Sequence, residues 1–296
     1  LIFLIHLFEI MKKKLQYRLV LISTIVLLVA CKKSETLNTD ITGLGGETWQ
    51  PTSIDKWISD SLTASYNIDV KYRWDAFELA LDKTLVPPFQ ENVVPMLRIV
   101  KYGWIDAYEQ LAGTAFVRTL CPKQYYLVGS VAYNPNGTIT LGEAENGRKI
   151  TLYRVNQLKV KDTVFVKRVL KTIQHEFGHI LQHSFDTPTE FKLVSGGSYT
   201  AGWSTVTDAD ARVAGFITPY AMSEPDEDFV EMIAVMLTEG KGGYETILKG
   251  LAAAPQAVLL LRQKEQIIVD YYRRYYSIDF YALQTVARQK LLQLTQ

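Results

Sequence analysis

The chain has 296 residues, a formal net charge of +1 and a hydrophobic fraction of 48%. That length allows one large domain or two small ones, and the near-balanced charge excludes the basic surface of a nucleic-acid binder. Two cysteines, Cys31 and Cys121, are too few for a disulfide-built scaffold.

The first element is a leader. MKKKLQYRLVLISTIVLLVAC, from Met11 to Cys31, has a basic start and then an apolar run from Leu19 to Ala30. Such a run is too short to span a bilayer but suits the core of a secretory signal. Its end, Leu28-Val29-Ala30-Cys31, resembles the lipobox of bacterial lipoproteins. The resemblance implies cleavage before Cys31 and lipidation of that cysteine. Met11 is read as the true start and residues 1–10 as a gene-model extension. The mature chain then has 266 residues, with 28 basic against 30 acidic side chains. Cys121 is left without a partner and is expected as a small buried side chain.

Residues 31–52 are polar and contain glycine, which predicts a flexible tether. A single domain is expected over 53–296. A helix should start near Ser53, and IDVKYRWD (68–75) alternates as a strand does. Residues 92–111 read as a helix with Pro95 in its first turn. QYYLVGSVAY and TITLGEA, joined by Asn134-Pro135-Asn136-Gly137, predict a hairpin. A second turn at Glu145-Asn146-Gly147 leads into the strand RKITLYRV, either an edge strand that could take an extended peptide or an ordinary core strand. Residues 162–184 change to a helical period. VSGGSYTAGWS (194–204) reads as a loop, with helices from Asp208 onward, where Tyr271, Tyr272, Tyr275 and Tyr276 have the spacing of packing residues. Strands followed by helices predict an α+β fold.

Three of the four histidines lie in HEFGHILQH, 175–183. His-Glu-x-x-His puts His175 and His179 one turn apart on one helix face, where both can reach a single tetrahedral Zn²⁺. Glu176, beside the first ligand, is then placed to act as general base on water. At 100° per residue, Val166, Leu170, Ile173, Phe177, Ile180 and Leu181 form the opposite, apolar face. Gly178 weakens the helix and implies close approach of a neighbour.

A third ligand is required. Position 182 is Gln and 185 is Phe, so the long histidine motif of the metzincins is absent. One straight helix cannot present His175, His179 and His183 to one small ion, so His183 is expected at the second shell or rim. The acids of 224–231 offer the ligand. Ser223 and Pro225 mark a helix start, and Glu227 and Glu231 share a face away from the apolar stripe. Asp226 and Asp228 read as ordinary first-turn acids.

HEFGH followed by Tyr220 and by Glu227 in E-D-F-V-E resembles the anthrax lethal factor-type metallopeptidases, of gluzincin type. The resemblance implies a zincin-like fold, with a small mixed sheet, an active-site helix and a helical C-terminal part. It also implies Glu227 as zinc ligand, Tyr220 as oxyanion stabiliser and Glu231 as support. Lipobox, tether, YRWD, HEFGHILQH and EDFVE together resemble the substrate import-associated zinc metallohydrolase lipoproteins of Bacteroidota. That resemblance implies an outer-membrane location beside a SusC/SusD-type importer.

The expected activity is a zinc-dependent metallopeptidase acting on peptide or protein substrates. The alternatives are a non-catalytic zinc-containing binding subunit of the importer, and a hydrolase of a non-protein amide or ester.

Overall fold

The computed structural model describes residues 11–12, 14, 50–75, 78–79, 83–135, 137–145 and 148–296. Cys31, most of the leader and the tether up to residue 49 lie outside them. The chain divides into residues 1–50 and the unit Pro51–Gln296, which carries everything that follows. No helix among the described residues is long and apolar enough to cross a membrane.

The unit is α+β, mostly helical around one small sheet. Helix α1 (53–66) starts where expected because Thr52 caps it reciprocally: Asp55 N–H donates to Thr52 Oγ1, and Thr52 N–H donates to Asp55 Oδ2. Strand β1 is only Asp69–Lys71, shorter than the alternation of 68–75 predicts. Beyond it the Tyr72 hydroxyl and the Arg73 guanidinium both turn back to Asp55, which draws the chain off the sheet edge. Helix α2 (90–120) is longer than expected at both ends. It places Pro95 two residues further in, contains a π-helical stretch Ile99–Ile105, and breaks at Gly113, where φ is +82°.

The hairpin prediction needs correction. QYYL forms β2 (Gln124–Leu127), which lies inside the sheet and pairs in parallel with β1 and with β6 (Lys149–Leu152). Tyr125, Tyr126 and Leu127 are all buried, and a strand covered on both faces needs neighbours on both sides. Only β3 (Ala132–Tyr133) and β4 (Ile139–Thr140) form the two-stranded ladder around the Asn134–Gly137 turn. RKITLYRV is not the edge either. Strand β5 (Gly142–Glu145) folds back antiparallel along β6, giving the order β1-β2-β6-β5 and leaving β5 as the edge.

Helix α3 (Thr163–Gln182) is capped by Asp162, whose carboxylate accepts from the N–H groups of Val164 and Phe165. After it come α4 (Thr189–Val194), α5 (Asp208–Val213), α6 (Pro225–Lys249), α7 (Pro255–Tyr276) and α8 (Phe280–Leu294). The apolar back of α3 packs into the core, with Phe177 edge-on to Trp104 and Tyr108. Tyr271 and Tyr272 are buried, and the Tyr271 and Tyr276 hydroxyls donate to the carbonyls of Phe185 and Leu181. The C-terminal tyrosines therefore pack, and they pin the end of the histidine helix to α7. Cys121 is buried.

Helices α3 and α6 cross closely at Gly178. A Cβ there would stand 2.7 Å from Val230 Cγ1, closer than real carbon contacts allow. Gly178→Val should therefore force the helices apart and lower folding stability by about 1–3 kcal/mol, read as a reduced urea midpoint at unchanged slope. An unchanged midpoint would mean that the crossing tolerates the extra volume.

Candidate metal centre

The crossing brings three donors together. His175 and His179 project from α3, and Glu227 comes from the first turn of α6. Glu224 rather than Ser223 occupies the N-cap of α6, with Pro225 at N1, so Glu227 sits at N3. There the positive end of the helix dipole favours a carboxylate. Glu227 Oε2 lies 3.0 Å from His175 Nε2 and 3.4 Å from His179 Nε2, and the two Nε2 atoms are 3.2 Å apart. These are the only His, Cys, Asp and Glu groups among the described residues that converge in this way.

The spacing tests whether zinc fits. Bonds of about 2.0–2.1 Å in a tetrahedral site put ligand atoms about 3.3 Å from each other, close to all three separations. With both imidazole protons on Nδ1, the buried Glu227 Oε2 has no hydrogen-bond donor, which is costly for a carboxylate oxygen unless a cation meets it. Two imidazole nitrogens and one carboxylate oxygen form the donor set of an open zinc site. The residues present fit the ion.

Outer partners orient each imidazole. His175 Nδ1–H donates to Glu231 Oε1 at 2.9 Å, and Glu231 Oε2 accepts from Lys171 (2.7 Å) and from the Thr218 hydroxyl (2.6 Å). His179 Nδ1–H donates to Gln182 Oε1 at 2.8 Å, and the Gln182 amide donates to Thr187 Oγ1 and to the Asp226 carbonyl. Fixing the proton on Nδ1 leaves each Nε2 lone pair directed at the shared point.

The electrostatics follow from these contacts. Burial opposes a charged His175, but Glu227, Glu231 and Glu176 outweigh it and raise its pKa to about 10. Burial likewise opposes a charged Glu227, and the two imidazoles overcome it and hold its carboxyl down to about 2. Glu231 is held well below the carboxylate range, against burial, chiefly by Lys171 and His175.

Glu176 is buried and lines the same cleft as His175, Tyr220 and Trp203. Tyr220 stands in a short 3₁₀ turn (Tyr220–Met222) just before α6, its ring centroid 5.8 Å from that of His175. Burial and the nearby Glu227 carboxylate push its hydroxyl well above the usual range, so it stays protonated as a donor.

Two expectations fail here. His183 is exposed at the C-cap of α3 and touches none of these groups. It stands one turn, about 6 Å, beyond His179, and Gln182 rather than His183 meets the His179 ring. Asp228 is no solvated first-turn acid. It is fully buried, 2.6 Å from the equally buried Lys264 of α7, and accepts from the Tyr199 hydroxyl.

Sequence reasoning missed Lys171, Gln182, Thr218 and Trp203. Lys171 and Gln182 were findable: they lie four residues before His175 and three after His179. Trp203 gave no signal. It sits at the end of the glycine-containing loop, in a short 3₁₀ turn, and meets Tyr220 edge-on at 4.9 Å.

A family described as "Putative zinc-binding metallo-peptidase" matches residues 47–281. The crystal structure of a "putative zinc-binding metallo-peptidase" from Bacteroides caccae ATCC 43185 is similar at TM-score 0.70 and 30% identity. The match covers 83% of this chain and 96% of that one. No curated protein matches the chain.

Proton and zinc compete for the same imidazole lone pairs. With the His175 pKa raised to about 10, zinc must displace a proton throughout the neutral range. Affinity should rise about tenfold per pH unit between roughly pH 6 and 8, with one zinc per chain and none in His179→Ala. Titration calorimetry in buffers of different ionisation enthalpy measures both the stoichiometry and the released proton. Affinity flat with pH would contradict the assigned contacts.

Proposed function

This chain belongs to that zinc-binding metallo-peptidase family, and we propose that it is a zinc-dependent endopeptidase of gluzincin type. The observation that carries the reading is the tetrahedral spacing of His175, His179 and Glu227 beside a buried Glu176 in an open cleft. A purely structural zinc site closes its fourth position and has no use for a general base.

Zinc held by His175, His179 and Glu227 would polarise the scissile carbonyl and make water acidic enough to attack near neutral pH. Glu176 accepts a proton from the attacking water and passes it to the leaving amine. The protonated Tyr220 hydroxyl donates to the oxyanion as charge develops there. Glu231 and Gln182 hold the two imidazoles in the tautomer that presents Nε2. An extended peptide lies against β5, an edge of the four-stranded sheet.

The lipobox-like Leu28–Cys31 supports anchoring through lipidated Cys31. Lys32, in place of the aspartate that retains many lipoproteins on the inner membrane, supports the outer membrane. The likeness to import-associated lipoproteins supports work beside a SusC/SusD-type importer.

Three variants assayed side by side test the chemistry. Glu176→Gln should keep its zinc and lose about 10²–10⁴ in peptide cleavage, since it removes a base and not a ligand. Tyr220→Phe should also keep zinc and lose rate, whereas Glu227→Ala should lose both together. Equal cleavage by Glu176→Gln and wild type, or no peptide cut by either, favours the binding-subunit alternative. Separately, Cys31→Ala should move the protein from the membrane to the soluble fraction. Membrane retention of that variant would refute the anchor.

A further inference from the structure

The cleft that contains Glu176 and Tyr220 has a volume of about 1310 Å³, and α3 lines it from Val164 to Glu176. Twelve residues of helix cover about 18 Å, the length of roughly five residues of extended peptide. Three cations of α3 line it: Lys167, Arg168 and Lys171. Two of them are neutralised from α6, Lys167 by Glu239 and Lys171 by Glu231, each at 2.7 Å. Arg168 is exposed, and among the described residues its guanidinium has no ion-pair or hydrogen-bond partner.

A second arginine stands behind it. A small pocket adjoins the cleft, sharing Leu141, Arg168 and Thr172 with it, and Arg154 lines that pocket too. Arg154 is held with φ at +66°, in the left-handed region that favours glycine. Its Nε and Nη2 both donate to Gln157 Oε1, a neutral amide that orients the guanidinium and leaves its charge uncompensated. Among the described residues neither arginine meets a carboxylate, and both border one pocket beside a cleft whose other α3 cations are paired. Guanidinium is the side chain that matches a carboxylate bidentately.

We propose that Arg168, backed by Arg154, is the specificity-determining residue that receives a carboxylate of the peptide substrate. Its place seven residues before His175, about 10 Å along α3, sets that carboxylate about three residues from the scissile bond. The carboxylate is that of an Asp or Glu side chain or that of the peptide's C-terminus. The assignment rests on the peptidase reading for its substrate class.

The test uses peptides matched in all but one group: Glu against Gln at successive positions, and free against amidated C-termini. Binding is measured by fluorescence anisotropy on zinc-loaded Glu176→Gln, and kcat/KM on otherwise wild-type protein. The carboxylate form should be preferred about tenfold in both. Arg168→Glu should abolish or invert that ratio, and Arg168→Lys should retain part of it. Loss of preference on Glu→Gln identifies a side chain, and loss on amidation identifies the C-terminus; either supports the proposal. The same preference in wild type and Arg168→Glu overturns it even if peptides are cleaved. An Arg168-dependent preference in binding with no cleavage of any peptide upholds carboxylate recognition and refutes the peptidase reading instead.

Discussion

Everything at the candidate centre depends on one constraint: α6 must cross α3 close enough for a carboxylate at its first turn to meet two imidazoles. Gly178 permits it, because Val230 occupies the space where any larger side chain would begin. The crossing then sets Glu227 within 3.4 Å of both Nε2 atoms. Moving α6 outward by a single methyl group would open those separations beyond what one small ion can bridge.

Such an assembly concentrates charge in a buried place, where each unpaired ion would cost several kcal/mol. Two of these buried carboxylates meet a cation on a different element. Glu231 is met by Lys171 of α3 and by Thr218, and Asp228 by Lys264 of α7. Lys264 also donates to the carbonyl of Gly215 and lies over the Phe216 ring. The N-terminal half of α6 is therefore tied to α3 on one side and to α7 on the other. The Tyr271 and Tyr276 hydroxyls complete the frame by holding the end of α3 to α7. The rigidity a metal centre needs comes from these cross-links more than from the helices alone.

The sheet serves the same end by different means. Because β2 is buried on both faces, it takes the middle of the sheet and forces β5 to the rim, where Gly142 packs on Thr172 of α3. The edge strand, the β3–β4 hairpin and the outer face of α3 then line one cleft that reaches from His175 past Arg168. On the proposed reading, substrate contact and chemistry share a single helix, the chemistry at its C-terminal turns and the recognition toward its start.

The sequence by itself determined the α+β class, the start of α1 near Ser53, the span of α3 and the pairing of His175 with His179. These are local: helix geometry places residues i and i+4 together whatever surrounds them. Glu227 and Glu231 were legible as a face of α6, and Gly178 as a point of close approach, though not against which residue. Only the tertiary structure decided that β5 and not RKITLYRV is the edge, because strand order depends on contacts between residues far apart in the chain. It also decided that Gln182 displaces His183 beside His179, that Asp228 is buried against Lys264, and that Trp203 enters the cleft. Each of those outcomes turns on which side chain of a distant element fills a given space, and no periodicity along one element encodes that.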